Sequence, residues 1–184
     1  TGNSLFVNPV RGPVTTSNVL YYDSLGKEVT WGAAPSGGGG GGGIGVTGSF
    51  WGDYLYWNST TSAWVVGSAN VSLGKLAGAV SQGGNAVAIG NAAGNSTQGV
   101  QAVAIGYYAG RITQGQQAVA IGTQAGQTNQ SSGAVAIGFM AGQGTQGGNA
   151  VAIGTYAGFV SQGLQAVAVG SLAGNFRQGT QSIA

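Results

Sequence analysis

The chain has 184 residues, of which 39 are Gly and only 8 are charged (five Lys or Arg, three Asp or Glu), with no His and no Cys. That inventory excludes an imidazole base, a thiolate nucleophile, the usual zinc sites and any disulfide framework. With only Asp23, Glu28 and Asp53 as carboxylates, no catalytic residues, metal ligands or cofactor are expected.

A net charge of +2 spread over 184 residues cannot neutralise a run of phosphates, so nucleic acid is not an expected partner. A membrane span needs about 20 consecutive apolar residues. Gly, Gln, Ser or Asn interrupts every apolar stretch here, so no span is expected. Thr1 in place of Met predicts a processed chain or a piece of a longer one.

Residues 1–35 hold all three Pro and two β-rich runs, Asn18–Tyr22 and Lys27–Trp31. The intervening Asp23-Ser-Leu-Gly26 carries turn residues at both ends, so a hairpin is expected in this N-terminal attachment segment. Residues 36–48 read as a flexible linker, because seven consecutive Gly at 37–43 have no side chains to bury. Its Gly43-Ile-Gly-Val-Thr-Gly48 fits the dinucleotide-binding spacing, but lacks the preceding strand and following helix that such a site requires. Residues 49–69 predict a second, aromatic hairpin: Asp53–Trp57 and Ala63–Val66 flank Asn58–Ser62. It places Tyr54 and Tyr56 on one face and Leu55 and Trp57 on the other. A lone hairpin is marginal in water, so this one is expected to cap the segment that follows.

From Asn70 to the end the sequence repeats every 16 residues with the consensus A-V-A-I-G-x-x-A-G-x-x-x-Q-G-x-Q. Seven complete copies run to position 181, and Ser182-Ile-Ala184 opens an eighth. Gly holds the fifth and ninth columns throughout, Ala the eighth and Gln the thirteenth. So many Gly per repeat exclude helix. Alternation in the first four columns predicts a short strand, and a repeat that cannot bury its own apolar residues must stack on its neighbours. The expected fold is therefore all-β: a β-solenoid of 16-residue repeats over 70–184, preceded by small hairpins and a poly-Gly linker.

In that solenoid the larger residues are expected inside. The predicted interior ladders are Val87 and Ile89, Val103 and Ile105, Val119 and Ile121, Val135 and Ile137, and Val151 and Ile153, with Ala on the outer face allowing other chains to approach. The column Gln98, Gln114, Gln130, Gln146 and Gln162 predicts an amide ladder along the axis. Variable columns six, seven, ten and eleven, including Tyr107, Tyr108, Phe139, Tyr156, Phe159 and Phe176, are expected on outward turns.

The elements Val87-Ala-Ile-Gly90 with Ala93 and Gly94, and their equivalents in each copy, resemble the head repeats of trimeric autotransporter adhesins. That resemblance implies a left-handed β-roll in an extracellular homotrimer, although the family's repeat is typically shorter than 16. Ser4–Arg11, Asn18–Asp23 and Lys27–Gly32 look like segments of fibre and surface proteins of large DNA viruses and phages, which implies a virion-attached or secreted fibre.

The expected function is non-enzymatic: a structural protein that self-associates, as a homotrimer or a head-to-tail filament, into an extracellular or virion-surface fibre. Near absence of charge supports association, since positions 70–184 carry only Lys75, Arg111 and Arg177. The alternative is an adhesin whose turn residues contact a host surface ligand or glycan. The sequons at Asn58, Asn70, Asn95 and Asn129 are candidate glycosylation sites. The hydroxyl-rich twelfth column reads as turn chemistry rather than an ice-binding file. Ending three residues into a repeat predicts further repeats beyond Ala184 or completion of the last coil by a neighbouring subunit.

Overall fold

The structure is a computed structural model. It describes the backbone of residues 18–23 and 28–33, and residues 46, 48–67 and 69–184 in full. The expected turn at 24–26, the segment Ser4–Arg11 and most of the Gly-rich linker lie outside the described residues. The chain divides into two units, Thr1–Val66 and Gly67–Ala184.

The first unit contains two antiparallel hairpins. β1 (Asn18–Asp23) pairs with β2 (Glu28–Ala33), with Asp23 opposite Glu28. β3 (Leu55–Asn58) pairs with β4 (Ala63–Val66), with Trp57 opposite Trp64. The two indoles meet edge to face at 5.8 Å, a cross-strand contact that stabilises a short pair. Asn58 accepts from the Thr60 N–H at 2.9 Å and the Thr61 N–H at 3.3 Å, which starts the connecting turn. Both hairpins therefore form where the β-rich runs and turn residues place them.

The second unit is the solenoid. One parallel sheet of seven strands, Val71–Leu73 to Val167–Val169, contains the Val-Ala-Ile segments. A second, from Val80–Gln82 to Arg177–Gln178, contains the glutamine column. Register is fixed at 16 residues: Val87 pairs with Val103, Ile89 with Ile105 and Gln114 with Gln130. The eighth copy begins in the same register, with Ile183 bridged to Val167.

Each coil turns twice by the same device. Ala93 N–H donates to Gly90 O, and Ala102 N–H donates to Gly99 O, both at 3.3 Å. These close the turns Gly90–Ala93 and Gly99–Ala102; Gly-x-x-Ala recurs at both places along the solenoid, with Ser131 standing for Gly in the turn to Ala134. The third residue of each turn has positive φ, 52° at Ala92 and 59° at Gln101. Gly90, at φ 123°, occupies a conformation open essentially to Gly. A Cβ there would also lie 2.7 Å from Gly106 O in the next coil, so both backbone shape and close stacking demand Gly.

The interior reverses one expectation. Ala88, Ala104, Ala120, Ala136, Ala152 and Ala168, with the eighth-column Ala93 to Ala157, are sealed from solvent and form the core. Val87, Val103, Val119, Val135 and Val151 are only half-buried, as are Ile89, Ile105 and Ile137, and Ile121 and Ile153 are exposed. The Val and Ile files therefore lie on the outer face, and the Ala face is the inner one, unavailable to other chains.

Narrowness is the physical reason. A Cβ placed on Gly126 would lie 2.7 Å from Gln130 Oε1 and 3.2 Å from Ala120 Cβ. The two walls meet through methyl groups and planar amides. Sheets separated by the usual ~10 Å could interleave branched side chains; this interior has no room for them.

Candidate functional site

With the core filled by Ala and Gln, the Val-Ala-Ile sheet presents two apolar files to the outside. One contains Val71 to Val167, the other Leu73 to Val169, in register across all seven strands. Leu73, Ile121, Ile153 and Val169 are the most exposed of them, with Ile121 at 36%. Both files are uninterrupted by charge. A contiguous aliphatic face of this kind is what a chain buries against another surface.

The glutamine column lies inside rather than on a face. Gln98, Gln114, Gln130, Gln146 and Gln162 are buried, and each Nε2 donates to the next Oε1 at 3.1–3.2 Å. The same Nε2 donates to two backbone carbonyls, for Gln130 those of Val119 (2.7 Å) and Ala134 (3.1 Å). Two N–H bonds serve three acceptors, so one is shared. The predicted ladder thus forms, and it also ties the two sheets together across the core.

The turn edge contains the aromatic residues. Tyr107 and Tyr108 stack at 4.0 Å, and Arg111 places its guanidinium 4.5 Å from the Tyr108 ring centre. The hydrogen bond with Tyr108 holds the Tyr107 hydroxyl above its usual pKa, against the opposing charge of Arg111. Further along, Phe139 meets Tyr156 at 5.4 Å, and Tyr156 meets Phe159 at 5.2 Å. Beyond them Tyr156, Phe159, Val160, Leu172, Asn175 and Phe176 line a cleft of about 260 Å³. The aromatic members were legible as outward turn residues. Leu172, Val160 and Asn175 belong to the same outward columns, seven, eleven and ten, which stack them level with those rings on adjacent coils.

The sequon asparagines differ in their surroundings. Asn58 caps its turn through Oδ1, Asn70 Oδ1 accepts from Ala86 N–H at 3.3 Å, and Asn95 Nδ2 donates to Leu76 O at 3.0 Å. Asn129 is exposed in the middle of the Thr128–Gln130 strand. The twelfth column does not sit in turns as expected. It forms part of the glutamine sheet, exposed at Ser81, Thr97, Thr113, Asn129 and Thr145, with positive φ at the first four. Asp53, the third carboxylate, accepts from the N–H groups of Ser49 (2.7 Å) and Phe50 (2.8 Å) and so closes a turn. Among the described residues no three His, Cys, Asp or Glu gather into a metal-binding group, and no helix is long and apolar enough to cross a membrane. No family model, curated protein or solved structure matches the chain.

What the described residues define is a β-solenoid repeat protein whose core is closed by Ala and Gln. Its Val and Ile side chains are left for an external surface.

Proposed function

We propose that this chain is a non-enzymatic structural protein that self-associates, through the Val and Ile files, into an extracellular or virion-surface fibre. One observation carries the reading: the largest aliphatic residues of every repeat stand outside a core that is complete without them. Leaving two continuous apolar files in water costs free energy at every coil, and burying them against further copies recovers it at about 25 cal/mol per Å². The scarcity of charge over 70–184 removes the repulsion that keeps most surfaces apart. A three-fold arrangement around the aliphatic face is the first choice, following the resemblance to trimeric autotransporter heads. A head-to-tail filament is the second. The three cations of this stretch, Lys75, Arg111 and Arg177, all lie outside the Val-Ala-Ile strands and do not oppose burial of that face.

Sedimentation of the purified chain at micromolar concentration tests this. A species several times heavier than 17.9 kDa, resolved as threads or trimeric rods by electron microscopy, is the expected result. A stable monomer under native conditions overturns it.

A further inference from the structure

In the tenth column a run of amide hydrogen bonds ends on a group that cannot accept. Gln143 Nε2 donates to Gln127 Oε1 at 3.1 Å, and Asn95 Nδ2 donates to Leu76 O at 3.0 Å, so the amides of this column turn their N–H groups toward the preceding coil. With its oxygen taken by Gln143, Gln127 directs Nε2 toward the third coil, where column ten holds Arg111. The two residues stand one coil apart, a step of about 4.8 Å, and the Ile112 N–H bonds Gln127 O at 2.9 Å. A guanidinium carries donors and no acceptor, so Arg111 cannot continue the run. We propose that Arg111 and Gln127 together bind the carboxylate of a small monocarboxylate ligand, one oxygen accepting from Gln127 Nε2 and the other from the guanidinium.

The surroundings select that ligand class. Positions 70–184 contain no Asp or Glu, so no acidic side chain of the second unit neutralises Arg111. Among the described residues neither its guanidinium nor Gln127 Nε2 has a hydrogen-bond acceptor. The guanidinium is nevertheless held in place: it lies 4.5 Å from the Tyr108 ring centre, and Tyr107 stacks on the same ring at 4.0 Å. Binding therefore orders little that is not already ordered. Arg111 is the one cation between positions 86 and 165, so phosphate or sulfate, as a dianion, would keep an unpaired charge there, whereas a monocarboxylate is matched charge for charge. The two coplanar oxygens of a carboxylate also suit two neighbouring donors, and charge assistance makes such bonds roughly twice as strong as those to a neutral amide oxygen. Column ten lies between the turn and the glutamine sheet, off the Val and Ile files, so association through those files leaves the site open.

The proposal goes beyond the fibre reading and is tested separately from it. The full chain is titrated with sodium acetate, benzoate and glucuronate, with chloride holding the ionic strength constant, and followed by calorimetry and saturation-transfer NMR. Saturable binding of acetate, the bare group, is expected, with affinity falling about tenfold or more in Arg111→Gln and by less in Arg111→Lys, which keeps the charge without the fork. Tighter binding of benzoate or of glucuronate supports the site and tells whether an aromatic acid or an acidic sugar carries the carboxylate. Gln127→Glu supplies the carboxylate from the chain itself. It still accepts from Gln143 and offers its second oxygen to Arg111, so a raised melting midpoint and loss of acetate binding are expected together. Far-UV dichroism verifies the fold of each variant. Absence of saturable acetate binding overturns the proposal. So does undiminished binding by Arg111→Gln or by Gln127→Glu, or tighter binding of phosphate or sulfate than of acetate. Sedimentation of the same samples reads self-association independently, so failure of either reading is visible without the other.

Discussion

Gln114 Nε2 donates to Gln130 Oε1 at 3.2 Å, sixteen residues apart and inside the core. The same contact recurs from Gln98 to Gln178. A column of polar side chains thus fills the interior where aliphatic residues were expected, and every amide depends on its neighbours.

Replacing one member exposes that dependence. Gln130→Leu has similar bulk but removes the donor to Gln146 Oε1 and to the Val119 and Ala134 carbonyls. The Ala134 carbonyl keeps the Val119 N–H at 2.9 Å, but Gln146 Oε1 is left buried without its donor, so the variant is expected to lose about 1–3 kcal/mol. In a stacked array the loss is local. Hydrogen exchange should accelerate most in the coils on either side. Gln130→Glu adds a pH signature. Its carboxylate would face carbonyl oxygens in a buried site, so its folded pKa rises above the unfolded value near 4.3. The proton-bound form is then the stable one. Stability is held below about pH 4 and falls as pH rises, and a melting series from pH 3.5 to 7 measures it.

The ladder has a flaw at its N-terminal end. Gln98 Oε1 is buried and has no hydrogen-bond partner. The preceding Gln82 accepts from Ser72 Oγ at 2.8 Å and donates to the Val71 and Ala86 carbonyls as the other members do, but makes no bond to Gln98. Ser72 is the one third-column residue among the seven complete copies that is not Ala. Ser72→Ala takes the hydroxyl donor away from Gln82 Oε1, so it is expected to lower stability by about 1 kcal/mol. Thermal unfolding that shows an unchanged or higher midpoint for Ser72→Ala would reject this account.

The sequence made the solenoid legible because its punctuation is backbone chemistry. Gly90 and its equivalents are needed for φ near 123° and for stacking against the next coil, and such needs show in composition and phase. Period-two alternation likewise places Val87 and Ile89 on one face and Ala86 and Ala88 on the other. Alternation does not say which face is inward. That depends on the gap between the two walls, which is set by how tightly Gly-x-x-Ala turns the chain at Gly90–Ala93 and Gly99–Ala102. Residues that look like core by size are then excluded by shape. The cleft is legible only by column for a related reason: columns seven, ten and eleven place all six lining residues on the outside, but the stacking of one coil on the next is what brings them together.

Stacking also fixes the cost of a side chain at the fifth column. Gly106 has φ 129°, and a Cβ there would lie 2.6 Å from Gly122 O. Gly106→Ala combines a strained backbone with a clash against backbone that cannot rotate away. A loss of more than 2 kcal/mol is expected, larger than for an ordinary surface substitution. Gly84→Ala, where nothing lies within 4 Å of the added carbon, is the matched control and should be near neutral. Equal melting curves for the two variants would count against tight coil stacking.

The reversal of inside and outside makes Ile121→Asp the most informative substitution in the chain. Were Ile121 a core residue, the new carboxylate would be buried without a partner and cost several kcal/mol. Ile121 instead stands 36% exposed on the outer face, beside Ile105 and Ile137 of the adjoining coils. Water can reach an aspartate there, so the coil should retain its dichroism and lose no more than about 1 kcal/mol. The effect belongs to association. Each copy would bring a charge into the middle of the apolar file that its neighbours bury, and a desolvated, unpaired carboxylate is worth several kcal/mol against the contact. Sedimentation of Ile121→Asp should show the folded 17.9 kDa monomer at concentrations where the parent chain is assembled. Salt should not restore assembly, because the penalty is desolvation more than long-range repulsion. If Ile121→Asp unfolds the chain, the outward placement of the Val and Ile files is wrong. If it folds and assembles like the parent, the files are not the surface through which copies meet.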